Sequence, residues 1–391
     1  MSSHPAEPSA ETRRILADLI AFDTVSRNSN LALIEYVRAQ LAELGVESEL
    51  THDDAGRKAN LYATIGPTDR GGIALSGHTD VVPVDDQTWA SDPFELREAD
   101  GRLYGRGTAD MKGFLACVLA YAPAFARAQL SAPVHLCFSY DEEVGCLGVQ
   151  KLLTPLLQRD VRPAAAIIGE PTGMEVINAH KGKLSMRAEV TGFACHSAYA
   201  PDGVNAALAA ARLAAKLGEI AERKIAEGPF DPAYDVAHTT VHLGVLEGGT
   251  ALNIVPSAAR LDFEVRNLPG DDPHVLVQEA IDYARREIEP AMQAVRPGTG
   301  FSFAELSHFP ALDTDPGHDV VVLAKALAGK NATGKVAFGT EAGRFKDAGI
   351  PAVVCGPGLI AQAHKPDEFV ALDQLAACER FLGGLLDRLS G

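Results

Sequence analysis

At 391 residues the chain exceeds what one hydrophobic core ordinarily organises, so two domains are expected. Its 47% apolar and 22% charged residues exclude a disordered chain. A formal net charge of −17 with no basic run excludes a nucleic-acid partner, while leaving room for a local cationic pocket.

In chain order, AETRRILADLIAF (Ala10 to Phe22) has a helical period. LALIEYVRAQLAELG (Leu31 to Gly45) repeats it and stops at a glycine, a common C-terminal signal. NLYATIG and GGIALSG are short β-like runs. After a loop rich in Asp, Pro and Gly, DMKGFLACVLAYAPAFARA predicts a helix starting at or just after Asp110. PVHLCFSY reads as a strand, VGCLGVQKLLTPLLQR as a helix and PAAAIIG as a buried strand. Strands alternating with helices predict an α/β fold with a mainly parallel sheet flanked by helices.

The pattern then changes. KLSMRAEVTG is a half-polar strand and GVNAALAAARLAAKLGEIAERKI a long helix. HTTVHLGVLEGG and SAARLDFEVRNLPG are strands, DPHVLVQEAIDYARREIEPAM a helix and TGFSFAEL a last strand. That βαββαβ order predicts a ferredoxin-like α+β sandwich. After about Pro310 the first pattern resumes in HDVVVLAKALAG, IPAVVCG and ALDQLAACERFLGGLLDRL. The expected organisation is a discontinuous α/β domain, 1–181 and 306–391, with a smaller domain, 182–305, inserted in it.

Six cysteines, at 117, 137, 146, 195, 355 and 378, include no C-x-x-C spacing. Neither a disulfide framework nor a thiolate metal site is expected, and a reducing, cytoplasmic setting is. The opening MSSHPAEPSAETRR lacks the apolar segment of a secretory signal and is expected to fray at its start. No uninterrupted apolar stretch suggests a membrane span.

In open parallel sheets, functional groups collect just beyond the carboxyl ends of strands. GGIALSG is followed by His78 and Asp80, PVHLCFSY by Asp141, Glu142 and Glu143, and PAAAIIG by Glu170. IPAVVCG is followed, after a short loop, by His364, and Asp110 stands at a helix start. No strand delivers a Ser or Cys in a tight elbow. Taken singly, Asp110 suits a helix N-cap worth about 1 kcal/mol. Glu142 and Glu143 suit a solvated loop, and His364 suits a surface as well as a ligand. Taken together, carboxylates crowded at one sheet edge repel unless cations neutralise them. Asp110, Glu143 and Glu170 bring three negative charges, and His78 and His364 bring neutral nitrogens. Two divalent ions would leave net +1, which one hydroxide would cancel. Imidazole and carboxylate without thiolate suit zinc, cobalt or manganese, with zinc the default. One glutamate of the Glu142–Glu143 pair is then left as a base, and spacing does not say which.

SGHTDVVP, GRGTADMKG, DEEVG, GEPT, NAHKGK and HSAYAPDGVNA together resemble the di-zinc amidohydrolase and metallopeptidase family. That family includes acetylornithine deacetylase, succinyl-diaminopimelate desuccinylase, aminoacylase and glutamate carboxypeptidase. GTEAGRF and CGPGLIAQAHKPDEFV are most similar to the acetylornithine deacetylases. The resemblance spans nearly the whole chain, in order. It implies that His78 and Glu170 bind one zinc, that Glu143 and His364 bind the other, and that Asp110 bridges them, with cobalt able to substitute. It makes Glu142 the general base and Asp80 the partner of the far nitrogen of His78. It makes the inserted domain a lid through which a homodimer forms. There His196 would hold the substrate carbonyl oxygen, and Asn253 and Arg266 would bind substrate. Glu341 would pair with the side-chain amine of ornithine. The implied reaction is hydrolysis of N-acetyl-L-ornithine to ornithine and acetate, a step of arginine biosynthesis. Gly343 and Arg344 depart from the apolar or aromatic residues expected after TEA, which opens the specificity to another N-acyl amino acid.

Desuccinylase, aminoacylase and dipeptidase activities stay open on the same scaffold. Outside enzymes, a metal-binding sensor stays open, although a binding site alone needs no free base at Glu142. GRGTADMKG is Gly-rich but lacks the Lys-Ser/Thr ending of a nucleotide loop.

Overall fold

The computed structural model describes residues 7–390, so the expectation for the first few residues lies outside it. The described residues form two compact units. The first comprises the chain up to Ala179, Leu312–Lys335 and the chain from Thr340 onward. The second comprises His180–Ala311 and Val336–Gly339.

The first unit is built on one large sheet. Its strands run in the order Ser48–His52, Ala59–Ile65, Val134–Ser139, Ile73–His78, Ala165–Pro171, Ala352–Gly356, Ile177–His180 and Leu312–Asp313. Ile73–His78 lies parallel to Val134–Ser139 and to Ala165–Pro171, which in turn lies parallel to Ala352–Gly356. The flanking pairs are antiparallel. The parallel strands explain their own sequences. Val134–Ser139, Ala165–Pro171 and Ala352–Gly356 are buried at every position, so they read as continuous apolar runs rather than alternating ones.

The helix expected from about Asp110 begins later, at Gly113, and runs to Arg127. It is preceded by a distorted turn in which Asp110 (φ −122°, ψ 91°) and Met111 (φ −136°, ψ 32°) are not helical. The 20 residues Thr108–Arg127, although interrupted by Asp110 and Lys112, are long and apolar enough to cross a membrane by length and composition. Most of them are buried in the first unit's core, where Phe114, Leu115, Val118 and Phe125 pack. A core helix satisfies the same apolar criterion as a membrane span.

A small sheet of Arg97–Ala99, Arg102–Tyr104 and Phe369–Ala371 falls partly within the expected loop. Three-residue strands are too short to show a period.

The second unit is a four-stranded antiparallel sheet in the order Thr240–Gly248, Ala258–Asn267, Gly182–Thr191, Gly300–Phe309. Helices Ala206–Glu227 and Pro273–Tyr283 join the strands into the βαββαβ sequence. Here burial alternates along Gly182–Thr191 and Ala258–Asn267, as it must when only one face is covered. The long helix is capped by Asn205, whose side chain accepts from the Leu208 amide at 3.0 Å, and it ends at Gly228 with φ 75°. The unit starts two residues before, and its main segment ends six residues after, the expected limits of 182 and 305. The later end follows from pairing, because Gly300–Phe309 stays paired with Gly182–Thr191, across a bulge between Glu305 and Ser307, as far as Phe309 opposite Lys183.

Candidate active site

Four parallel strands deliver the candidate residues to one edge of the first unit. His78 is the last residue of its strand and lies opposite Ser139, so the chain reaches Glu142 and Glu143 three and four residues beyond that level. Glu170 is the penultimate residue of Ala165–Pro171. His364 follows the strand Ala352–Gly356 through a loop.

Their side chains converge as two groups of three. His78 Nε2 lies 3.0 Å from Asp110 Oδ1 and 3.7 Å from Glu170 Oε1. His364 Nε2 lies 3.4 Å from Asp110 Oδ2 and 3.1 Å from Glu143 Oε2. Within each group the donor atoms all lie within 4.8 Å of one another. Asp110 turns one oxygen toward each group. It caps no helix, so the local alternative for it does not apply.

The electrostatics describe a site short of positive charge. Burial pushes Glu142 up to about 8 and Glu143 up to about 7. Burial also carries Glu170 well above the usual carboxylate range, with the Asp110 charge adding to it. Burial works upward on Asp110 as well, but hydrogen bonds with His364 and His78 hold it below that range. Hydrogen bonds to Asp110 and Glu143 raise His364 to about 10. Burial disfavours a charged His78, yet its bond to Asp110 and the Glu170 charge lift it well above its ordinary value. Glu143 Oε1 is buried without a hydrogen-bond partner. Without cations, protons must do the neutralising. Paired imidazole and carboxylate donors, an unmet buried oxygen and no thiolate fit hard or borderline divalent ions such as zinc, cobalt or manganese.

Asp80 acts differently from expectation. His78 Nδ1 is 2.9 Å from the backbone carbonyl of Asp80, while the Asp80 carboxylate is 3.6 Å away. A carbonyl only accepts, so Nδ1 donates and Nε2 is left to face the carboxylates. The Asp80 carboxylate instead accepts from the amides of Glu142 (3.1 Å) and Glu143 (3.3 Å) and from the Ser26 hydroxyl (2.7 Å). It therefore shapes the turn that presents both glutamates. Cys146 was not anticipated either. Its thiol donates to Glu142 Oε1 at 3.2 Å, and only the four-residue spacing hints at it.

Glu341 is a correction. It is fully buried, and its carboxylate accepts from the hydroxyls of Ser76 (2.5 Å) and Ser139 (2.7 Å). Both oxygens are engaged between two core strands, so the side chain does not present itself to a substrate amine.

The other three candidates belong to the second unit. His196 is exposed, and its Nδ1 accepts from the Ala198 amide at 3.1 Å. The Asn253 carbonyl accepts from the Ser197 amide at 2.9 Å, so His196 and Asn253 lie on adjoining segments. Arg266, on the strand Ala258–Asn267, donates through Nε to Glu264 at 2.8 Å.

Residues 74–388 match the peptidase family M20/M25/M40. The chain belongs to this family. Among its M20 relatives is an acetylornithine deacetylase of Myxococcus xanthus, 37% identical, with 97% of each chain covered. Another, from Proteus mirabilis, is 34% identical over 96% of this chain and 95% of that one. The fold is shared with the M20 metallo-carboxypeptidase Sso-CP2 of Sulfolobus solfataricus (TM-score 0.75, 20% identity, 98% and 99% of the two chains). It is shared too with a Bacillus subtilis M20 protein described as a dinuclear metal binding peptidase (TM-score 0.66, 15% identity, 97% of each chain). The protein is thus an M20 amidohydrolase, an enzyme rather than a sensor, with two sets of candidate metal donors.

Proposed function

We propose that this M20 enzyme hydrolyses the acetyl amide of N-acetyl-L-ornithine, the step that releases ornithine and acetate in arginine biosynthesis. The observation that carries the chemistry is the pair of three-donor groups sharing Asp110 beside a carboxylate, Glu142, that belongs to neither group. The relatives that are 33–37% identical and named acetylornithine deacetylase support the substrate.

In this reading His78, Asp110 and Glu170 hold one zinc and Asp110, Glu143 and His364 the other, with cobalt able to substitute. Two such ions supply Lewis acidity and lower the pKa of water to about 7. Glu142 removes the proton of the attacking water and returns it to the leaving amine. The Cys146 thiol holds Oε1 of that carboxylate, and the Asp80 carboxylate holds its backbone. His196 steadies the oxygen of the acetyl carbonyl as charge develops on it. Asn253 and Arg266 hold the substrate, the guanidinium gripping its carboxylate. The same reading includes a cytoplasmic homodimer assembled through residues 180–311.

A second reading has a specific observation behind it. Arg344, half-buried on the helix Ala342–Asp347, stands where the deacetylase resemblance leads one to expect an apolar or aromatic residue. A cation there suits a substrate with an additional carboxylate, such as N-succinyl-diaminopimelate. Comparing kcat/KM on N-acetylornithine, N-succinyl-diaminopimelate and N-acetylmethionine, with zinc and with cobalt, separates the two. The first reading expects N-acetylornithine to lead, and a faster succinyl substrate overturns it.

A further inference from the structure

Asp110 serves both donor groups, yet it sits in a loop that no regular ladder holds. The backbone of that loop is gathered instead on a buried carboxylate outside the donor set. Glu368 Oε1 accepts from the amides of Ala109 (2.9 Å) and Asp110 (3.0 Å). Glu368 Oε2 accepts from the Gly107 amide (3.1 Å) and from Arg106 Nη1 (2.7 Å). The side chains of Glu368 and Arg106 are each 1% exposed. A buried ion pair is not in itself a strong source of stability, because an apolar pair often replaces it without loss. What an apolar pair cannot do is accept three backbone N–H groups and so fix the course of the loop through Asp110.

The contacts continue toward the other histidine. Arg106 Nη2 donates to Gln87 Oε1 at 2.6 Å, and Gln87 Nε2 donates to the His364 carbonyl at 3.1 Å. Arg106 Nη1 also reaches the Lys365 carbonyl at 3.3 Å. His364 has φ 63°, the left-handed conformation that non-glycine residues rarely take. A residue held that way needs its surroundings to over-determine it. The path from the Asp110 amide through Glu368, Arg106 and Gln87 to the His364 carbonyl supplies that constraint.

We propose that Glu368 is a positioning residue that, with Arg106 and Gln87, sets Asp110 against His364 and so governs uptake of the ion at Asp110, Glu143 and His364. The inference rests on the two-metal reading above. Glu368→Gln puts an amide NH₂ where two donors point, and Gln87→Ala releases the His364 carbonyl and one Arg106 contact while leaving the Arg106–Glu368 pair in place. Metal-free full-length chains are titrated with Co²⁺ by calorimetry and visible absorption, with circular dichroism to verify folding. The unaltered chain takes up two ions. With the ion at Asp110, Glu143 and His364 taken as the second to bind, since His364 is the exposed donor, Glu368→Gln weakens it about 10- to 100-fold and more than the first, the usual effect of losing a group that orients a ligand. Gln87→Ala weakens only the second ion, by less, and decides the matter alone should Glu368→Gln not fold. Unchanged second-ion affinity in the folded variants overturns the positioning role while leaving two-metal binding intact. An unaltered chain that takes up fewer than two ions overturns the two-metal reading and this inference with it.

Discussion

Glu142 and Glu143 are adjacent in sequence and opposite in surroundings. Glu143 Oε2 faces His364 at 3.1 Å, whereas Glu142 meets only a thiol among the described hydrogen bonds to its side chain. Glu142→Gln is therefore expected to leave metal content unchanged while lowering kcat by about 10²- to 10⁴-fold, the usual contribution of a general base. Metal analysis alongside steady-state rates checks this, and a variant with near-normal turnover places the base elsewhere. Residues of this kind were legible in the sequence because each follows a strand whose apolar run announces it. Asp80 was legible only as a neighbour of His78. Sequence does not say whether a residue works through its carbonyl or its carboxylate, and here it uses both, for different partners. Glu341 misled because a carboxylate inside a motif reads as facing substrate, while the fold turns it between Ser76 and Ser139. Glu368 went unread, since a carboxylate that serves backbone amides has no pattern of its own.

At the scale of elements, the central strands carry two further consequences. Gly169 precedes Glu170, and a Cβ there would lie 2.0 Å from Phe114 Cγ, inside a rigid aromatic ring. Gly169→Ala is expected to cost about 1–3 kcal/mol through overpacking, seen as a melting temperature lowered by several degrees. Unchanged melting would mean that the Phe114 ring yields freely. His135, in the strand Val134–Ser139, is buried with Nδ1 2.8 Å from the Tyr62 hydroxyl and 3.0 Å from that of Thr64. Burial lowers it from 6.5 to about 4. The unfolded chain takes up this proton below about pH 6.5 and the folded chain only near pH 4, so stability is full above that window and falls with pH across it. The loss is roughly 3 kcal/mol at the acid end. His135→Gln should therefore show a smaller drop in melting temperature between about pH 7 and about pH 5 than the unaltered chain. Equal drops would assign the acid sensitivity to other groups. Long apolar runs made these strands readable, whereas Ser48–His52, Ile177–His180 and the three-residue strands lack both the length and the period that betray an element.

At the scale of the molecule, the chain leaves the first unit after Ala179 and returns at Leu312. The two crossings are adjacent within the first unit. The Thr314 amide donates to the Asn178 carbonyl at 2.9 Å, and Asn178 Nδ2 donates to the Thr314 carbonyl at 2.7 Å. A short Gly/Ser linker can therefore replace residues 180–311 without stretching the sheet, although Val336–Gly339, which group with the second unit, lose their partners. The first unit keeps its own core and every candidate metal donor. The shortened chain is expected to fold and to take up two divalent ions, as the full chain does in the reading above. Its amide hydrolysis should fall by at least about 10²-fold, because His196 leaves with the excised segment and loss of one such donor costs that much. Circular dichroism, metal titration and rates on N-acetylornithine make the comparison. A folded shortened chain that takes up fewer ions than the full chain would show that the second unit contributes to metal binding. One that keeps full turnover would remove His196, Asn253 and Arg266 from the reaction.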